Sequence, residues 1–115
     1  MLVHKKIIIL LFFIIDLNAT DMGFTLFQGN CVTCHHPTKS ISAPSMQIIK
    51  KRYKDIFKTK KEFIEYMSVW VTNPKVESSL MDDMIKKYKL MPQLAFTLDT
   101  TTDIANYIYS TDFSK

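Results

Sequence analysis

Residues 21–36 read DMGFTLFQGNCVTCHH, and the fold is decided here. The first half is helical in character. Gly23 and Phe27 stand four apart on one face, and Thr20 or Asp21 offers a capping oxygen for a helix predicted to end near Asn30. The second half, Cys31-Val32-Thr33-Cys34-His35, gathers two thiols and an imidazole within five residues. These are the only two cysteines of a 115-residue chain, so at most one disulfide could form and a disulfide-rich scaffold is excluded. Two glycines are too few for the hairpins of an all-β fold. The length allows one domain, and 47 % hydrophobic content with 23 % charge argues against wholesale disorder.

Cys-x-x-Cys-His is the attachment signature of a c-type haem. Two thioether bonds tie the porphyrin edge to the turn, and the next residue presents its imidazole to the iron. Other chemistries use parts of the motif. A thioredoxin-like pair wants a βαβ unit around it, and no strand pattern is visible. A zinc site wants a second pair of ligands, yet the remaining histidine outside the N-terminal segment is the adjacent His36. A structural disulfide would give no reason for the histidine.

Upstream, His4, Lys5 and Lys6 precede nine uncharged apolar residues, Ile7 to Ile15, and Asp16-Leu17-Asn18-Ala19 closes the segment with smaller and polar residues. That order is the pattern of a secretory signal peptide, and the apolar run is well short of the ~20 residues that span a bilayer. The expected organisation is a signal peptide over 1–19, cleaved after Ala19, and one domain over 20–115. An uncleaved N-terminal anchor is the alternative. Export suits covalent haem attachment, which belongs outside the cytoplasm, and a periplasmic location follows.

Downstream, the pattern is helical throughout. Residues 36–43 read as a loop punctuated by Pro37, Ser40 and Ser42. Ser45 is the expected cap of a helix carrying Met46, Ile49, Tyr53 and Ile56. Thr59 and Glu62 form a capping box that opens a helix with Phe63, Ile64, Met67, Trp70 and Val71 on one stripe, ending at Asn73-Pro74. Ser79 to Asp82 resembles a further capping box, which places Met81 on a stripe with Met84, Ile85 and Tyr88. After a loop over 90–98, the last helix is expected from Thr100 or Thr101, carrying Ile104, Ala105, Tyr107 and Ile108.

With these residues in view, the chain resembles the class I c-type cytochromes, small single-haem electron carriers. That family carries a small residue eight positions before the first cysteine and an aromatic four before it, places filled by Gly23 and Phe27. Its last helix crosses the first through an aliphatic residue and an aromatic three later, matched by Ile104 and Tyr107. The resemblance extends over essentially all of 20–115, by motif at the two ends and by pattern in the middle. It implies an all-α fold of four to five helices and loops around one covalently bound haem c (heme c) per chain. Cys31 and Cys34 would carry the thioethers and His35 the first axial bond. Met91, before Pro92 and thirteen positions before Ile104, matches the family's sixth ligand, with Met81 as its rival. Pro44 resembles the proline whose carbonyl receives the histidine's other ring N–H. Ile48, Phe63 and Leu94 are expected to line the haem crevice, whereas Trp70 reads as core rather than as a donor to the haem propionates.

The formal charge is +4, falling to +3 without residues 1–19, too little for a nucleic-acid binder. Basic residues cluster over Lys50–Lys61, either as a solvated helix face or as a docking patch for the acidic surface of a redox partner. Contact with a membrane is expected only through such partners or an uncleaved signal segment. No acid/base pair, Ser-His-Asp set or phosphate loop is present, so no enzymatic activity is expected. The reading that results is a one-electron carrier between respiratory partners. A five-coordinate haem sensor or weak peroxidase, and a haem-free disulfide or thiol-exchange protein, stand as alternatives.

Overall fold

The computed structural model of the chain describes the backbone of residues 19–115 and the side chains of residues 22–115. The expected signal segment lies outside the described residues save for the backbone of Ala19. Five α-helices and no strand make up the described part: α1 (Ala19–Asn30), α2 (Met46–Ile56), α3 (Lys60–Thr72), α4 (Asp82–Tyr88) and α5 (Leu98–Ser110). The expectation of an all-α chain holds at that level. None of these helices is long and apolar enough to cross a membrane.

Packing is organised by α5, which lies against α3 and α1 and touches α2 lightly. Its inner stripe of Ile104, Ala105 and Ile108 is buried with Phe27 of α1, Met46 and Tyr53 of α2, and Phe63 and Met67 of α3. The approach of α1 to α5 depends on Gly23. A Cβ there would stand 2.6 Å from the carbonyl oxygen of Asp103 and 2.9 Å from Tyr107 Cβ, so only a residue without a side chain lets the backbones come this close. One turn on, the Phe27 ring packs 5.1 Å from that of Tyr107.

Helix starts follow the local rules where side chains can reach the free amides. Ser45 Oγ accepts the Ile48 N–H at 3.3 Å, and Thr59 Oγ1 accepts the Glu62 N–H at 3.2 Å, although Glu62 makes no return bond. Three helix starts differ from the sequence expectation. Thr20 and Asp21 lie within α1 rather than capping it. Ser79 Oγ accepts the Met81 N–H in a turn of its own, and α4 starts only at Asp82, with two aspartates in its first turn. Thr97, not Thr100 or Thr101, caps α5 by accepting the Thr100 N–H at 3.3 Å. Ile56 also departs from its expected place: it is exposed, and Phe57 packs against the core instead.

Candidate functional site

The helical path of α1 continues for one more turn past Asn30. Cys31 N–H donates to Phe27 O at 2.9 Å, and His35 N–H donates to Cys31 O at 2.8 Å. Residues at i, i+3 and i+4 of such a turn face one way, and Cys31, Cys34 and His35 all line the same crevice. Both thiols are free; Cys34 is exposed and Cys31 half-buried. Burial, with the nearby Cys34 adding to it, pushes the Cys31 thiol up to about 11. At neutral pH it is therefore protonated and a poor nucleophile by itself.

The chain then makes an excursion over residues 36–45 and returns beside the same turn. Met46 N–H donates to His36 O and Gln47 N–H to Pro37 O, both at 3.0 Å, which closes the loop at its base. On the returning leg the carbonyl of Pro44 accepts His35 Nδ1–H at 2.8 Å. A carbonyl can only accept, so Nδ1 of the neutral ring carries the proton and the lone pair lies on Nε2. His36 has the opposite arrangement. Its Nδ1 accepts two backbone N–H groups, from Thr38 at 3.1 Å and Lys39 at 3.0 Å, which leaves the neutral ring's proton on Nε2. Of the two adjacent histidines, His35 is the one whose Nε2 lone pair is uncommitted.

The crevice contains about 1290 Å³ of space free of protein atoms, its open mouth included. Its walls are overwhelmingly apolar and come from all of α2 to α5, including Ile49, Tyr53, Trp70, Ile85 and Ile104, with Leu80 from the segment before α4. Lys89 is the one lysine among its lining residues. Five of the chain's seven methionines, Met46, Met67, Met81, Met84 and Met91, line it. The structure thus brings Cys31, Cys34, His35, Pro44 and Met91 to one cavity. Leu94 lines it as well, but Ile48 and Phe63 do not: Ile48 is exposed, and Phe63 is fully buried in the core. Trp70 Nε1–H is engaged by the Lys75 carbonyl at 3.0 Å.

Met81 and Met91 occupy different settings. Met81 is buried and sits just before α4 with non-helical backbone (φ −136°, ψ 52°), which corrects its expected place on a helical stripe. Met91 is half-buried in the segment between α4 and α5, bounded by two non-glycine residues of positive φ, Lys89 at 74° and Ala95 at 57°. Met46 and Met67, which their spacing puts on helical stripes, belong to the core and also face the cavity. Their helical spacing hid this, because the same face serves the core and the crevice.

The donor set can be tested against what such a cavity would hold. A tetrahedral zinc centre is not assembled: among the described residues no group of three or more His, Cys, Asp or Glu side chains could hold a metal ion. A large planar apolar group carrying its own metal fits better. It would find two thiols on one turn, an imidazole with its outer nitrogen already hydrogen-bonded, thioether sulfurs, and walls without carboxylates. The chain matches no protein-family model, no curated protein and no solved structure.

Proposed function

We propose that this chain is an exported single-haem c-type cytochrome with the class I fold, acting as a one-electron carrier between respiratory redox partners. The observation that carries this reading is the seating of His35. Its ring ends the Cys-x-x-Cys-His turn, donates through Nδ1 to Pro44 O at 2.8 Å, and keeps the Nε2 lone pair uncommitted beside an apolar crevice. Cys31 and Cys34 are the residues to hold the haem edge, and His35 and Met91 are those to ligate the iron. When bound, the haem supplies reversible gain and loss of one electron.

The chain's own residues do the rest. The Pro44 carbonyl fixes the tautomer and the plane of the imidazole. The walls are apolar and carry no carboxylate, which would favour the less charged, reduced state of a bound haem, and ligation by Met91 would act in the same direction. With His35 and Met91 both engaged, the bound group would offer no open site to a substrate, so the proposed role is electron carriage rather than catalysis. Thiol exchange is disfavoured because burial raises the Cys31 thiol, the reverse of an activated cysteine.

Partners would meet a basic surface. Lys51 and Lys54 of α2, Lys58 of the turn that follows, and Lys60 and Lys61 at the start of α3 are exposed. Lys50 differs: it is half-buried and its Nζ donates to the Thr111 carbonyl. Arg52 is committed to Asp83. The opposite face of α2 supplies Ile49 and Tyr53 to the crevice, so one helix joins the patch to the haem cavity.

The absorption spectrum of the oxidised, haem-loaded protein tests the carrier reading. A low-spin spectrum with a methionine–iron charge-transfer band, lost in Met91→Ala, is expected. A high-spin wild-type spectrum would instead support the five-coordinate sensor or peroxidase. A band that survives in Met91→Ala and disappears in Met81→Ala would move the ligand to Met81.

A further inference from the structure

We infer that His36 is a positioning residue for His35: its ring, acting as a hydrogen-bond acceptor, sets the loop that delivers the Pro44 carbonyl to His35 Nδ1. The inference rests on the haem-protein reading only for its consequence at the iron; the geometry is a property of the chain itself.

The loop over 36–45 leaves the Cys-x-x-Cys-His turn and must return with one carbonyl correctly placed. Its base is closed by two backbone bonds, Met46 N–H to His36 O and Gln47 N–H to Pro37 O. Within the loop, two side chains replace the bonds that a regular turn would make. Ser40 Oγ accepts the Ser45 N–H at 2.9 Å on the returning leg. His36 Nδ1 accepts the Thr38 and Lys39 N–H groups at 3.1 and 3.0 Å on the outgoing leg. The first two residues after Pro37 are therefore wound around the His36 ring, and Ser40 enters the return in a set position. Pro44 is the residue before Ser45, so a shift of the Ser40–Ser45 contact moves the oxygen that His35 uses. Ile41 and Ser42, at the far end of the loop, are exposed and bring no core packing to replace this winding.

Asparagine is the substitution that separates the roles of His36. Its Oδ1 hangs from Cγ as Nδ1 does, so it can accept the same two N–H groups while lacking the ring. The protein is matured together with haem-attachment machinery, and haem content is measured separately. Exchange with solvent is then read by NMR for the Thr38 and Lys39 amides and for His35 Nδ1–H in wild type, His36→Ala and His36→Asn. In His36→Ala the amides and His35 Nδ1–H should all exchange about three- to tenfold faster, the factor corresponding to one hydrogen bond of ordinary strength. In His36→Asn all three should return toward wild type. If His36→Ala frees the amides and leaves His35 Nδ1–H unchanged, His36 holds only its own turn and the inference is overturned. Unchanged amides overturn it as well.

Should His36→Ala not fold, the tautomers of the wild-type protein decide the matter. Long-range proton–nitrogen correlation must find His36 protonated on Nε2 and His35 on Nδ1; a proton on His36 Nδ1 is incompatible with acceptance and ends the proposal. A chain that carries no haem but shows the exchange pattern above would refute the proposed function and leave this inference standing.

Discussion

Gly23 and Gly29 occupy the same helix, and the structure expects opposite outcomes from the same substitution at each. In Gly23→Ala the new methyl meets the Asp103 carbonyl at 2.6 Å, and backbone cannot move aside cheaply. The overlap costs about 1–3 kcal/mol, which exceeds the gain in helix propensity. In Gly29→Ala nothing lies within 4 Å of the new Cβ, and removing a helical glycine stabilises by ~0.5–1 kcal/mol. Denaturant midpoints of the two variants check this; a stabilised Gly23→Ala would contradict the close approach of α1 and α5. At this scale much was legible. A glycine four before an aromatic marks a face, and Cys-x-x-Cys-His marks a turn, because both depend on neighbours in sequence. The double role of Met46 and Met67, and the acceptor role of His36, were not legible. They depend on where distant or returning chain comes to lie.

Among the elements, α4 is the least secured by burial, since none of its residues is fully buried. Arg52 of α2 holds it by other means. Its guanidinium donates to both carboxylate oxygens of Asp83 at 2.9 Å and to the Leu80 carbonyl at 3.1 Å. Tyr66 OH adds a bond to the Ser78 carbonyl at 2.6 Å. The Arg52 hydrogen bonds, followed by its charge, hold the Asp83 carboxyl down at about 2. A carboxylate whose folded pKa lies below its unfolded value of about 3.9 stabilises above that value, and the contribution is lost as pH falls from there through about 2. Wild type should accordingly lose more stability than Asp83→Asn between pH 5 and pH 2 in denaturant titrations. Equal losses would mean that the pair does not hold α4. No sequence signal pointed to this clamp, because its partners are thirty-one residues apart. The caps at Ser45 and Thr59 were readable since each spans three residues. The start of α5 was misplaced because Thr101 looked like a cap, whereas it is buried and shares a 3.1 Å hydrogen bond with Thr72 of α3.

For the molecule as a whole, charge and cofactor are what remain to be tested. The basic surface predicts that electron transfer to an acidic partner slows as salt rises, and slows further on charge reversal of the exposed Lys51, Lys58 and Lys61. Lys50 is unsuitable for that test, since its bond to Thr111 makes it part of the packing. Stopped-flow rates that ignore both salt and charge reversal would leave the patch as a solvated helix face. The all-α character was legible from periodicity and from the scarcity of glycine. The crevice was not, because its walls are assembled from all five described helices and the segments between them. The central claim is that Cys31 and Cys34 carry a covalent haem. It is tested most directly by a pyridine haemochrome assay on chain matured with haem-attachment machinery, after extraction with acidified organic solvent. One haem per chain that resists extraction, and is lost when both cysteines are replaced by alanine, is the result expected. Chain without covalent haem under those conditions would contradict the account.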